Sequence, residues 1–261
     1  MNVNHVRKGS GEPLVLIHGI GHRHQAWLPV LDRLAEHHEV LALDLPGFGD
    51  SPVPPAGMPS DMPATVALLA EFLAEEGLDR PHVAGYSLGG AIALELAAAG
   101  QARSATAFSP AGFFTAAERR RALAILTLLR VTAFVPTPLI RSTMRVGALR
   151  AACYAPLLAH PRRLEFERAV DDAVALRGGR GFASVARASR GYRFIGTPKV
   201  PVTIGWGAKD RILPVRQAER ARQLLPQARH VPLPACGHVP MSDAPDLVAD
   251  LILETARGVP A

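Results

Sequence analysis

The 261-residue sequence has two cysteines, almost no lysine and few aromatic side chains. Cys153 and Cys236 are too few for a disulfide scaffold and lack the paired spacing of a metal site, so both are read as reduced thiols in a reducing compartment. Only 3 of the 29 basic residues are lysine, and aromatics make up 5% of the chain. That leaves little with which to stack bases, so the formal charge of +6 is read as arginine-heavy usage and no nucleic-acid partner is expected. Long apolar runs are missing as well. The longest charge-free apolar stretches, such as Pro81–Leu94 and Val131–Ile140, fall short of the roughly 18 residues a spanning helix needs. The leading Met1-Asn2-Val3-Asn4-His5-Val6-Arg7-Lys8 runs straight into Gly and Pro without an apolar signal core. The expectation is a cytoplasmic protein with no membrane span and a small-molecule substrate; the pattern specifies no oligomeric state.

What is present is a 48% apolar composition, which excludes disorder and allows one large domain or one domain with an insertion. The positive charge is unevenly placed. Residues 117–193 hold fifteen arginines against five acids, whereas the remainder holds fourteen basic and eighteen acidic residues.

Short apolar runs at Leu14–Ile17, Val40–Leu43, His82–Ala84 and Ser104–Phe108 alternate with helical patterns at His24–Glu36, Thr65–Glu76 and Leu88–Ala99, the last closed by Gly100. This rhythm predicts an α/β fold with a mostly parallel central sheet flanked by helices. From 111 to 192 the strand signal disappears. It returns at Val200–Trp206 and Ala228–Leu233, with helices over Val215–Leu225 and Pro245–Arg257. The chain therefore divides into a first core part (1–111), a helical cap or lid (112–192) and a second core part (193–261). Within the cap, Ala122–Leu129 and Val131–Ile140 are read as lid packing, with an acyl-chain pocket as the alternative. Arg119–Arg121, Arg141, Arg145 and Arg150 are read as a solvated helix face, with steering of anionic substrates or contact with an acidic surface as the alternative.

Gly85-Tyr86-Ser87-Leu88-Gly89-Gly90 is the one G-x-S-x-G of the chain, placed where an apolar strand ends and an Ala-rich helix begins. A serine at such a turn needs a sharply bent backbone to project its hydroxyl. Side chains two residues to either side would collide, and glycines at 85 and 89 remove that obstacle. A neutral serine is a poor nucleophile and needs a base held by an acid. Asp210 and His238 each follow a predicted strand, which makes Ser87 the expected nucleophile, His238 its base and Asp210 the orienting acid. The loop after Phe108 carries no competing carboxylate. An oxyanion needs two N–H donors, and Ile20, in the turn after the first buried strand, and Leu88 are the candidates. His22 and His24 lack further ligands nearby and are read as surface histidines at a helix start, so no metal is expected.

His18-Gly19, Asp44-Leu45-Pro46-Gly47-Phe48-Gly49-Asp50-Ser51, Gly85 to Gly90, Trp206 to Asp210 and Gly237-His238 together resemble the α/β-hydrolase fold family on both sides of the insertion. The resemblance implies the Ser87–Asp210–His238 triad, a structural turn at Asp44–Ser51, packing by Trp206, and no cofactor. Two departures stand out. Only Asn2–Arg7 precedes the Gly-Ser-Gly turn, so the opening strand looks truncated, and His22 and His24 make the oxyanion loop polar. Related epoxide hydrolases and haloalkane dehalogenases use aspartate where Ser87 stands. The expectation is a serine esterase acting on small or medium hydrophobic esters through an acyl-enzyme. Three alternatives are a ring-fission carbon–carbon hydrolase, whose relatives commonly carry Asn or His where Tyr86 stands, a perhydrolase side activity, and a hydrolase-fold ligand-binding protein with weak turnover.

Overall fold

A computed structural model describes residues 2–258. Seven strands form one sheet: β1 (His5–Lys8), β2 (Pro13–Ile17), β3 (Glu39–Leu43), β4 (His82–Tyr86), β5 (Ser104–Phe108), β6 (Val202–Gly207) and β7 (Arg229–Leu233), in the order β1-β3-β2-β4-β5-β6-β7. All neighbours are parallel except β1, which pairs antiparallel with β3 at the edge. The opening strand is thus short but present. The parallel register sets Ile17 opposite Gly85, Tyr86 opposite Phe108, Phe108 opposite Gly205 and Gly207 opposite Leu233. The carboxyl ends of five strands therefore finish level, and the loops that follow them gather on one rim, where parallel sheets bind ligands.

Alternation along each strand feeds two apolar layers. Val15, Ile17, Leu41 and Leu43 face one layer with Leu69, Phe72 and Ile92, while Leu14, Leu16, Val40 and Ala42 face the other with Trp27, Leu34 and Ile252. The first layer is closed by α2 (Met62–Glu75) and α3 (Leu88–Ala98), the second by α1 (Leu28–Ala35) and α10 (Pro245–Ala256). The helix expected over 24–36 opens as a 3-10 turn at His24–Trp27, and its α part starts at Leu28 with Pro29 in its first turn, where the missing N–H costs nothing. The helix expected from Thr65 starts at Met62, because the Asp61 carboxylate caps it by accepting from the Ala64 N–H at 2.9 Å.

Between β5 and β6 the chain forms α4 (Ala116–Thr132), α5 (Thr137–Arg145), α6 (Gly147–Tyr154), a 3-10 turn at Pro161–Arg163, α7 (Phe166–Gly178) and α8 (Phe182–Ala188), with no strand among the described residues. Thr115 and Glu118 make a capping box at the start of α4. The same Glu118 carboxylate reaches Arg216 and Arg220 on α9 (Arg216–Leu224), and the Gly181 N–H donates to the Gly47 carbonyl at 2.9 Å. The reading of the apolar stretch as packing holds for only part of it. Ala122 and Leu126 turn inward, but Leu128, Val131, Phe134 and Leu139 are exposed, because α4 meets the rest of the molecule along one face only. Among the described residues no single helix is long and apolar enough to cross a membrane; α4 and α5 pass that test only together, across a 106° bend.

Candidate active site

Ser87 joins β4 to α3 with φ 56° and ψ −116°, a conformation non-glycine residues rarely adopt. The turn is held from both sides. The Ser87 N–H donates to the Phe108 carbonyl at 2.9 Å, and the Ser87 carbonyl accepts from the Ala91 and Ala111 N–H groups at 3.0 Å. The flanking glycines are obligatory in space: a Cβ at Gly85 would lie 2.2 Å from the Gly89 carbonyl oxygen, and one at Gly89 would lie 2.1 Å from that of Ile17.

Asp210 and His238 reach the same rim from β6 and β7. The loops carrying them approach so closely that a Cβ on Gly207 would lie 2.1 Å from the Gly237 carbonyl oxygen. His238 Nδ1 lies 2.8 Å from Asp210 Oδ2, while Asp210 Oδ1 accepts from the Ile212 and Leu213 N–H groups, each at 2.8 Å. A carboxylate only accepts, so this pairing keeps the imidazole proton on Nδ1 and leaves Nε2 as an acceptor. Both side chains are almost fully buried.

Ser87 opens onto two cavities. The larger, about 330 Å³, is lined by His238, Tyr86, Tyr154, Leu158 and Val239; the smaller, about 100 Å³, by Leu88, Ile92, Phe114 and Leu213. Ile20, Ser87 and Leu126 border both. Ile20 belongs to a tight turn in which the His22 N–H donates to the Gly19 carbonyl at 3.2 Å and Gly21 takes φ +77°. Leu88 is the first residue of α3, so its N–H has no carbonyl partner within the helix. Both candidate donors therefore border the cavities into which Ser87 opens.

His18 locks the start of this turn. The Leu45 N–H donates to its Nε2 at 2.8 Å, which leaves Nδ1 to donate to the Gly19 carbonyl at 2.7 Å. Burial pushes its pKa down to about 4, so the ring is neutral near pH 7. Asp44 is a second buried hub, accepting from the His24 and Asp50 N–H groups and from Asn4 Nδ2. Burial alone would raise its pKa, but these hydrogen bonds, with the His24 ring, outweigh it and hold the carboxyl well below its ordinary value. Trp206 packs as expected and its indole N–H donates to the Leu213 carbonyl. Burial raises the Cys236 thiol to about 12, so it is no thiolate at neutral pH.

The reading of His22 and His24 as surface histidines is overturned. His24 is buried against Asp44, at 3.0 Å from Nδ1 to Oδ1. His22 bridges Tyr86, whose hydroxyl meets Nδ1, and Asp172 on α7, whose Oδ1 lies 3.1 Å from Nε2. Asp172 in turn accepts from Arg168 at 3.0 Å. Burial would raise the Asp172 pKa, yet His22 and Arg168 bring it below the ordinary value. The residue before Ser87, the turn holding Ile20 and the helical segment are thus joined by one polar chain. Asp243 is another participant the sequence did not single out. Its carboxylate accepts from the Gly237, Ala159 and His160 N–H groups at 2.8, 2.9 and 2.9 Å, tying the His238 loop to the helical segment. No group of three or more His, Cys, Asp or Glu side chains able to hold a metal occurs among the described residues.

With this geometry in hand, residues 14–251 match the alpha/beta hydrolase family. The chain belongs to that family. It is 33% identical over 238 residues to the dihydrolipoyllysine-residue acetyltransferase component of the acetoin cleaving system of Cupriavidus necator, covering 85% of this chain and 58% of that relative, so the chain spans little more than half of that protein. It is 28% identical over 257 residues to Lipase 3 of a Moraxella species, covering 90% of this chain and 74% of the lipase. Among solved structures, a membrane phospholipase A superposes with a TM-score of 0.77 at 27% identity, covering 98% of this chain and 83% of the other. Its relatives in this family include a lipase as well as the acetyltransferase component.

Proposed function

We propose that this hydrolase cleaves carboxylic esters of small or medium hydrophobic compounds through an acyl-enzyme. The observation that carries the reading is His238, its tautomer set by the 2.8 Å bond to Asp210, bordering the same cavity as a serine held at φ 56°. Ser87 Oγ attacks the acyl carbon and passes its proton to His238 Nε2. The carbonyl oxygen becomes an oxyanion facing the Ile20 and Leu88 N–H groups. Collapse breaks the bond to the leaving oxygen, which takes the proton from His238 and departs as the alcohol. Water then gives a proton to the same nitrogen, attacks the acyl-enzyme and releases the acid with Ser87 restored.

Because the proton comes from His238, the leaving group has to lie on its side. His238 borders only the larger cavity, so the alcohol occupies that space and the acyl chain the smaller one beside Leu88 and Leu213. The helical segment supplies walls to both cavities through Leu126, which supports its reading as a cap. Esterase and lipase relatives favour the same bond type.

The test is labelling with a fluorophosphonate probe and mapping of the modified peptide, alongside a p-nitrophenyl ester series of increasing acyl length. Label on Ser87, loss of turnover in Ser87→Ala and a fall in kcat/KM beyond short acyl chains are expected. An active Ser87→Ala protein would overturn the mechanism.

A further inference from the structure

We infer that the outer face of α4, α5 and α6 docks on an anionic lipid surface. Leu128 and Val131 on α4, Phe134 in the turn, Leu139 on α5, and Val146 and Leu149 at the start of α6 are each 49% to 64% exposed. Six of the twelve large apolar side chains exposed in the described chain thus fall within 22 consecutive residues. Ala124 just before them and Pro136, Pro138 and Ala148 between them are also exposed, and Arg145 is the one exposed charged residue from 124 to 149. Apolar surface gathered in this way on a monomer marks an interaction site.

The charge around it selects the partner. From Arg119 to Arg163 the sequence has nine arginines and no acid. Of the flanking acids, Glu118 is buried and holds Arg216 and Arg220, Glu167 pairs with Arg141 at 2.8 Å, and Glu165 is exposed just beyond the segment. A second copy seated on this face would set arginine against arginine with no carboxylate in the segment to separate them. An anionic lipid surface offers an apolar phase for the leucines and phenylalanine and negative headgroups for Arg120, Arg121 and Arg145, which are exposed. The face is also continuous with the larger cavity. Thr132 and Leu139 line that cavity while remaining exposed, so its mouth opens at the α4–α5 turn, in the middle of the apolar surface. An apolar ester held in a bilayer reaches Ser87 from there without crossing water.

Full-length Ser87→Ala protein, which binds without turnover, is sedimented with vesicles of phosphatidylcholine alone and of phosphatidylcholine with phosphatidylglycerol. Binding to the anionic vesicles only, weakened by salt, is expected. Leu128→Asp with Val131→Asp reduces it on the order of tenfold or more, and Arg145→Gln about fivefold. None of these three side chains lines a cavity, so in the Ser87 background the same variants keep turnover of a soluble short-chain ester and an unchanged melting temperature, which separates docking from folding and from the mechanism above. Equal binding to both vesicle types, binding to neither, indifference to the substitutions, or a dimer in solution that Leu128→Asp dissociates would each overturn the inference.

Discussion

The sheet rim and the helical segment differ in what holds their polar groups. At the rim, Asp210 is held by Ile212, Leu213 and His238, and His18 by Leu45 and Gly19. Close approach leaves no room for a Cβ at 85, 89 or 207. The helical segment leaves several apolar side chains in water, and it meets the core through polar ties that include Asp172 with His22, the Ala159 and His160 N–H groups with Asp243, the Leu157 carbonyl with the His238 N–H, and Glu118 with Arg216 and Arg220. The rim is therefore expected to tolerate little change and the segment more.

The largest test of that contrast is Asp210→Asn. An amide in place of the carboxylate destabilises the tautomer that leaves Nε2 free, and kcat for a p-nitrophenyl ester is expected to fall about 10⁴-fold with the fold retained; a loss below tenfold would break the account of the rim. Next come paired glycine substitutions read by urea denaturation. Gly89→Ala, with its Cβ 2.1 Å from a backbone oxygen, is expected to cost about 3 kcal/mol or more. Gly147→Ala in the segment, whose nearest neighbour is 3.9 Å away, should fall within about 1 kcal/mol of neutral, on the stabilising side. Similar costs for the two would erase the distinction.

His18 makes the rim sensitive to acid. Its folded pKa of about 4 lies below the ordinary 6.5, so the unfolded chain takes up a proton that the folded chain refuses. Its contribution is whole above pH 6.5, declines by about 3 kcal/mol as pH falls to 4, and is level below that. A stability profile as steep in His18→Gln as in the parent would remove this assignment. A further test lies at the tie between the regions. Asp172→Asn weakens the bonds to His22 and Arg168, lowers stability by about 2 kcal/mol and slows turnover by loosening the turn that carries Ile20. Unchanged stability and turnover would mean that the segment and the rim are independent.

Much of the rim was legible because its causes are local. Leu14–Ile17 is apolar on both faces and is buried on both faces. The glycines around Ser87 announced a bend that only glycine allows on either side. The placement of Asp210 and His238 followed from strands whose ends had to lie level. His22, Tyr86, Asp172 and Asp243 were illegible as a group, since His22 meets Tyr86 across 64 residues and Asp243 meets Ala159 across 84. Nor did composition reveal which side of α4 faces inward: Leu126 and Leu128 are alike in type, and only the packing of one helix face separates them.

The sequence by itself determined the strand-and-helix rhythm, the strained serine turn and the order Ser87, Asp210, His238, because periodicity, steric exclusion at glycine and strand-end loops act over a few residues. Tertiary structure alone decided that His22 and Asp243 tie the serine turn and the His238 loop to the helical segment, that Ser87 borders two cavities of unequal size, and that apolar side chains of that segment face water. Those outcomes depend on which distant surfaces meet, and a contact between remote segments leaves no mark on the pattern of either one.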